Sequence, residues 1–193
     1  LVVSPLKRDE NGCYTMDLED FEKKAAGCKY FILCNPHNPV GRCWTKEELK
    51  KMGDLCVQYG TLIISDEIHS DLMLFGNKHI PMPTVSEEIA ANTITCTSAT
   101  KTFNLAGLQA ATIMFPNQEL IDKYQSFWKS MDVHRNNSFS TVAVIAAFNE
   151  GEEWLDQLLK YLEGSKNITY TDTTVKIFSA MNEENRAQID ALA

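Results

Sequence analysis

The sequence predicts an α/β fold in which helices cover both faces of a mostly parallel sheet, a three-layer α/β/α arrangement. Strand-length apolar runs alternate in regular order with helix-like segments along most of the chain. Those runs are apolar throughout, which is typical of strands that are buried on both faces. The length of 193 residues corresponds to one domain or slightly more.

The first elements of this pattern lie within the first 60 residues. Asn11-Gly12 predicts a turn, and residues 17–26 form an amphipathic pattern that predicts a helix. Residues 30–34 read Tyr-Phe-Ile-Leu-Cys, a continuous apolar run of strand length. Thr45-Lys46-Glu47-Glu48 fits a capping box, so we expect a helix to begin there and to end near Gly60.

The rest of the chain continues the alternation and then becomes helical. Further strands are predicted over residues 62–65, 93–96 and 110–115. After Asn117 the pattern predicts helices over 118–131, 139–149 and 152–162, with a weaker one from about Asn182.

Composition excludes several classes of function. The net charge of -8 argues against a nucleic-acid binder and against a polybasic membrane anchor. The longest apolar run, near residues 143–148, is far shorter than the roughly 20 residues of a membrane span. No leader sequence is visible, so we expect a cytoplasmic protein with no nucleic-acid or membrane partner.

The six cysteines form no CxxC pair and do not combine with the four histidines at zinc-binding spacing. We therefore expect free thiols that are mostly buried, and no metal site. His79 and His134 are expected to be surface or capping residues.

Polar groups follow three neighbouring strands of the predicted sheet. The loop 35–41 contains Asn38, Asp66 to His69 follow the next strand, and Ser98 to Lys101 follow the third. Ligands bind at the carboxyl ends of strands in such sheets. Each group alone has an ordinary explanation as a turn, a helix cap or a solvated lysine, but the three in this order indicate a site.

These groups match the chemistry of a pyridoxal 5'-phosphate (PLP) site. A lysine amine can form a Schiff base with an aldehyde cofactor. A carboxylate can keep a pyridine nitrogen protonated, which makes the ring an electron sink. An amide can donate to the phenolate oxygen of the ring, and a serine hydroxyl three residues before the lysine can bind a phosphate.

Four motifs carry a resemblance to a known family: Asn-Pro-His-Asn-Pro-Val-Gly at 35–41, Ser-Asp-Glu-Ile-His-Ser-Asp-Leu at 65–72, His-Ile-Pro at 79–81 and Ser-Ala-Thr-Lys-Thr-Phe-Asn at 98–104. Together they resemble the fold-type I aminotransferase class I/II superfamily. The second and third motifs resemble its PatB/MalY branch of cystathionine β-lyases and related carbon–sulfur lyases. The resemblance extends from residue 1 to about 162.

The resemblance implies roles for individual residues. Lys101 is implied as the lysine that bonds the cofactor aldehyde and acts in catalysis. Asp66 is implied as the partner of the pyridinium nitrogen, and Asn38 as the donor to the 3-oxygen of the cofactor. His69 takes the place of a tyrosine directed at the same oxygen in typical aminotransferases, and histidine there is usual in the lyase branch.

The cofactor phosphate is implied to bind Ser98, with Thr100 as a further hydroxyl. Many aminotransferases have an arginine eight residues after the lysine as a phosphate ligand, and this chain has Gln109 there. The phosphate is therefore expected to rely on hydroxyl groups and backbone amides.

The resemblance also implies the domain organisation. Residues 1–165 match the central part of a PLP-binding large domain, and residues 166–193 are expected to form a helical tail. Family members are longer, so we expect this chain to lack an amino-terminal segment and a carboxy-terminal small domain, and to be inactive alone. The full-length protein is expected to be a homodimer that acts on a small amino-acid substrate.

The function implied is a PLP-dependent carbon–sulfur β-lyase that converts its substrate to pyruvate, ammonia and a thiol. An aminotransferase acting on an amino acid remains an alternative, because it would use the same Lys101, Asp66 and Asn38. A second alternative is a non-catalytic binding or regulatory protein built on this fold.

Overall fold

The computed structural model describes residues 1–132, 137–151 and 160. Its strands are β1 (Leu6–Arg8), β2 (Tyr14–Met16), β3 (Tyr30–Cys34), β4 (Leu62–Asp66), β5 (Thr93–Thr97) and β6 (Thr112–Met114). Its helices are α1 (Leu18–Ala25), α2 (Lys46–Tyr59), α3 (Glu87–Ala91), α4 (Ala99–Thr102), α5 (Gln118–Ser130) and α6 (Ser138–Glu150). Short 3₁₀ turns occupy Met82–Thr84 and Ala106–Leu108.

The main sheet has the strand order β3-β4-β5-β6. β3, β4 and β5 are parallel neighbours, which confirms the predicted parallel core of the sheet. β6 is antiparallel to β5, so the sheet is mixed. A separate antiparallel hairpin joins β1 and β2 through the turn predicted at Asn11-Gly12, where Gly12 has a φ of 84°.

The predicted helices end within a few residues of the observed ones. Asp17 caps α1, and its carboxylate accepts from the Asp20 backbone N–H. The capping box of α2 is complete, since Thr45 and Glu48 each accept from the backbone of the other. α2 ends at Gly60 in the left-handed conformation. The helix predicted over 152–162, the tail from 166 and His134 lie outside the described residues.

The hydrophobic core lies on one face of the sheet, under α1, α2 and α3. Its fully buried members include Leu49 and Met52 of α2, Ile63 of β4 and Ile89 of α3. Trp44, which is 1% exposed, closes this core beside the loop that follows β3. Tyr30 and Ile32 of β3 are 61% and 68% exposed. The tightly packed face therefore holds β3 and β4 in register while their carboxyl ends remain accessible.

The cysteine prediction is confirmed in part. The six thiols are free, but Cys56 alone is fully buried and Cys13 is exposed. Burial raises the pKa of the Cys56 thiol to about 12. The other four are partly buried because they lie at strand ends and in loops, which the high average burial of cysteine does not anticipate.

None of the helices in the described part of the chain is long and apolar enough to span a membrane. In the same part of the chain, no three His, Cys, Asp or Glu side chains are grouped so that they could hold a metal ion.

Gly53 is buried within α2, and its close contact with Ile89 predicts that a larger side chain would destabilise the fold. Alanine at an ordinary helix position is more stable than glycine by roughly 0.5–1 kcal/mol. Here a Cβ atom would contact Cδ1 of Ile89 and lie 2.8 Å from its Cγ1. We expect Gly53→Ala to lower the free energy of unfolding by about 1–3 kcal/mol, as overpacked cores do.

Chemical denaturation of the full-length protein measures this change. The control is the substitution Ile89→Val, made alone and together with Gly53→Ala, because it removes the Cδ1 methyl nearest to the new Cβ atom. Gly53→Ala should destabilise the Ile89→Val protein less than it destabilises the wild type, and an equal loss in both would contradict the packing explanation.

Candidate functional site

The candidate site lies at the carboxyl ends of β3, β4 and β5. Cys34, Asp66 and Cys96 are aligned in register across these three strands. Because the strands are parallel, the loops that follow them start from the same edge of the sheet. Asp66 lies on the central strand of the three, so the edge has a carboxylate at its middle.

Two predicted site residues from different loops meet directly. The Nδ2 atom of Asn38 lies 3.3 Å from Nε2 of His69. An amide nitrogen can only donate, so the His69 tautomer that pairs with it has Nε2 as the acceptor. This contact joins the loop after β3 to the turn after β4.

The loop after β3 is fixed by its own contacts. The backbones of His37 and Arg42 form an isolated antiparallel bridge. The Arg42 guanidinium pairs with Glu48 of α2 and lies 4.7 Å from the centre of the Trp44 ring. These contacts anchor the loop to the helix, and they hold Asn38 at the sheet edge. Burial lowers the pKa of His37.

Asp66 is partly buried and makes a local contact that orients it. Its Oδ1 accepts from the backbone N–H of Ile68 at 3.2 Å. Burial, together with the Asp66 charge, raises the pKa of the Cys96 thiol, and burial is also the main cause of the raised pKa of Cys34. Asp66 is thus flanked by two thiols that stay protonated, not by competing cations.

Ser98 is the N-cap of α4. Its Oγ accepts from the Thr100 backbone N–H at 3.0 Å and lies 2.7 Å from Thr100 Oγ1. The Ser98 hydroxyl donates to the Ala110 carbonyl oxygen at 2.5 Å. The two hydroxyl groups predicted to bind a phosphate are therefore adjacent. The Ser98 hydroxyl proton is already used in the hydrogen bond to the backbone carbonyl of Ala110.

Lys101 lies on α4 and is exposed. Within the described residues it has no hydrogen-bond or ion-pair partner. Its neighbour Thr102 is buried and donates to Oδ2 of Asp71 at 2.7 Å, which fastens α4 to the segment after β4. The lysine is therefore an unengaged amine on an anchored helix.

A cavity of about 400 Å³ adjoins the site beside Ser98. Asp71, Ser140 and Phe148 contribute to its lining. Asn38, Asp66, His69, Thr100 and Lys101 do not line it, so Ser98 is the only predicted site residue on this cavity.

The residues present fit PLP in chemical type. The edge offers an unengaged amine, a carboxylate with one oxygen bonded to the backbone, an amide and two adjacent hydroxyls. Gln109 is exposed and has a φ of 49°, in the position where many aminotransferases have an arginine. The phosphate end therefore has only hydroxyl and amide donors among the residues predicted for it.

The sequence prediction of His79 as a surface or capping residue is wrong. The side chain is 11% exposed and its Nε2 lies 2.8 Å from Oε2 of Glu67, which is 2% exposed. Glu67 and His79 belong to two of the motifs that carry the family resemblance, but neither was predicted as a site residue. The motifs were the available signal, and a motif does not by itself reveal a contact between residues twelve positions apart.

Comparisons with known proteins identify the family of the chain. Residues 2–174 match the family model for aminotransferase class I and II. The chain is 43% identical over 161 residues to cystathionine beta-lyase PatB of Bacillus subtilis, covering 82% of this chain and 42% of that protein.

Two solved structures are similar as well. A PLP-bound protein from Clostridium difficile 630, provisionally named an aminotransferase, is 53% identical with a TM-score of 0.81, covering 84% of this chain and 42% of that one. The PLP-bound C-S lyase from Staphylococcus hominis is 35% identical with a TM-score of 0.75, covering 84% and 40%. The chain thus spans less than half the length of these relatives.

The family match covers most of the chain, and both similar solved structures contain bound PLP. Both observations support the same assignment: the chain belongs to the aminotransferase class I and II family, with the fold of PLP-dependent fold-type I enzymes.

Proposed function

We propose that the full-length protein containing this chain is a PLP-dependent carbon–sulfur β-lyase of the cystathionine β-lyase type. The observation that carries the proposal is the contact between Asn38 and His69 at the sheet edge where β4 ends in Asp66. Lys101 lies without a described partner on α4, the helix that follows β5. The similarity to cystathionine beta-lyase PatB supports the choice of reaction.

Each of the predicted site residues has a separate role in β-elimination. PLP, when bound, supplies an electron sink for the negative charge that develops at the substrate Cα. Lys101 Nζ removes the Cα proton, and the exposed position of this amine on α4 leaves it accessible to a substrate. Asp66 holds a proton on the ring nitrogen through its negative charge, which acts most strongly where water is excluded.

Asn38 and His69 orient the ring through its 3-oxygen. The Asn38 amide already points toward the loop after β4, where it contacts His69. Ser98 and Thr100 bind the phosphate, Ser98 by releasing its proton from the Ala110 carbonyl oxygen. The electron pair left at Cα forms a double bond to Cβ while the Cβ–S bond breaks, and the thiolate leaves as a thiol with one proton. Water then converts the resulting enamine to pyruvate and ammonia.

An aminotransferase is the second candidate. The Clostridium difficile 630 protein, which is 53% identical, is provisionally named an aminotransferase. Both reactions need Lys101 as the base and Asp66 as the charge partner, so the site residues alone do not separate them. His69 at the position of the usual tyrosine favours the lyase.

Product analysis separates the two reactions. Full-length protein loaded with PLP is incubated with L-cystathionine and no oxo-acid. We expect continuous release of pyruvate, because elimination needs no amino acceptor. Turnover that requires an added oxo-acid, with amino-group transfer and no pyruvate, would establish the aminotransferase instead.

We also propose the wider organisation. Residues 1–165 belong to the central part of the PLP-binding large domain, and the small domain lies elsewhere in the full-length protein. The enzyme acts in the cytoplasm as a homodimer on a small amino-acid substrate. Sedimentation of the full-length protein tests the dimer.

A further inference from the structure

Glu67 is a buried carboxylate beside the candidate site that the proposed mechanism does not use. It is 2% exposed and follows Asp66 directly. Its Oε1 accepts from the Ser65 hydroxyl at 2.8 Å and from the Met82 backbone N–H at 2.9 Å. Its Oε2 accepts from Nε2 of His79 at 2.8 Å. The buried charge is therefore compensated on both oxygens.

The donors to Glu67 come from two places in the chain. Ser65 is on β4, whereas His79 and Met82 belong to the segment 79–82, which we call the brace segment. Because one carboxylate binds both ends of the brace segment, the turn after β4 is tied to it. Met82 is 0% exposed, so the backbone N–H that it donates has no access to water as an alternative partner.

The brace segment also holds the loop after β3. Asn35, which is 1% exposed, donates its side-chain amide to the Ile80 carbonyl oxygen at 3.0 Å. The backbone N–H of Asn35 donates to the Asp66 carbonyl oxygen at 2.9 Å. The loops after β3 and β4, two of the three segments with predicted cofactor contacts, are thus bonded to the same four residues.

Burying a carboxylate in a core has a large free-energy penalty, because the charge loses its hydration. Buried ion pairs and charged hydrogen bonds often contribute no more stability than apolar residues of the same volume. What they add is direction, since each oxygen accepts only from donors in fixed places. Because Glu67 is adjacent to Asp66, hydrogen bonds that fix the orientation of Glu67 also fix the backbone that carries Asp66.

We propose that Glu67 is a positioning residue, which acts through the brace segment to fix Asp66, His69 and the Asn38 loop for PLP binding. This inference rests on the proposed function, because it assigns Glu67 to the placement of PLP contacts. Glu67 does not touch the cofactor in this assignment. His79 supports the same role of Glu67, because it donates to the second carboxylate oxygen.

Glu67→Gln isolates the inference with little change of volume. If the new amide nitrogen faces Met82, two N–H donors oppose each other. If it faces His79, Nε2 must become the acceptor and the proton moves to Nδ1, a buried atom that has no partner among the described residues. Either orientation leaves one buried donor unpaired, so the turn after β4 must shift.

The test compares four variants of the full-length protein: Glu67→Gln, His79→Ala, His79→Gln and Glu47→Gln. Glu47 is an exposed glutamate on α2 and serves as the matched control. We expect Glu67→Gln and His79→Ala to weaken PLP affinity about tenfold, equivalent to one unpaired buried donor. His79→Gln keeps an N–H donor and should stay close to wild type, as should Glu47→Gln.

A second measurement needs no cofactor. Hydrogen exchange of the apo protein follows the backbone N–H groups of Asn35 and Glu67, which donate to Asp66 and Cys96 at 2.9 and 2.8 Å. Glu67→Gln should accelerate the exchange of both, and the N–H of Phe21 in α1 should be unaffected. If Glu67→Gln does not fold, His79→Ala provides the same two readouts.

The outcomes separate this inference from the proposed function. Failure of the wild-type protein to bind PLP overturns the proposed function. Wild-type PLP binding with unchanged affinity and unchanged exchange in Glu67→Gln and His79→Ala overturns the positioning role alone. A lower melting temperature with unchanged PLP affinity of the folded protein also overturns it, because that is the result of a purely structural role.

Discussion

Lys101→Ala in the full-length protein is expected to abolish covalent attachment of PLP and the visible absorption band that the attached cofactor gives. Alanine has no amine to bond the aldehyde, and no other described lysine lies on α4. Turnover should fall as well, since removal of a general base alone costs on the order of 10²–10⁴-fold. Absorption spectroscopy and pyruvate release measure the two effects.

The control for this variant is Lys51→Ala, which removes an exposed lysine from α2. It should retain the band and the activity, because α2 lies behind the sheet and not at its carboxyl edge. Lys101 has no partner within the described residues, so its removal breaks no fold contact there and the variant should remain folded. Retention of the band in Lys101→Ala would place the attachment elsewhere and contradict the assignment.

The elements that the sequence predicted best are those specified by local interactions. Tyr30–Cys34 is observed with the predicted bounds, and the capping box at Thr45 is complete. Backbone dihedral preferences and side-chain caps operate within a few residues, so they are visible in the sequence. The same is true of the polar groups after each strand, because a strand end is a local feature.

Contacts between residues far apart in the chain were harder to predict from the sequence. The antiparallel direction of β6 depends on its pairing with β5, and a strand of three residues carries too little pattern to indicate direction. The Glu67–His79 contact joins residues on either side of a loop, and a buried acid is the exception for its residue type. His79 was therefore assigned to the surface by average behaviour.

Asp66→Asn should retain PLP and lose most of the turnover. Asparagine can still accept from the Ile68 backbone N–H through its Oδ1, so the turn after β4 keeps its geometry. The negative charge is lost, and with it the group that holds the proton on the ring nitrogen. Loss of a preorganised charge of this kind costs on the order of 10²–10³-fold in turnover.

The pH dependence makes this prediction specific. A neighbouring carboxylate raises the pKa of the cofactor ring nitrogen, so its removal lowers that pKa and the ring proton is lost at lower pH. The residual activity of Asp66→Asn should therefore decline as pH rises across a range in which the wild-type rate is flat. Asp54→Asn, at an exposed position on α2 where the carboxylate pairs with Lys50, is the control and should follow the wild-type profile. If the residual activity keeps the wild-type profile down to the lowest pH at which the protein stays folded and the overall loss is small, the Asp66 charge does not act on the ring nitrogen.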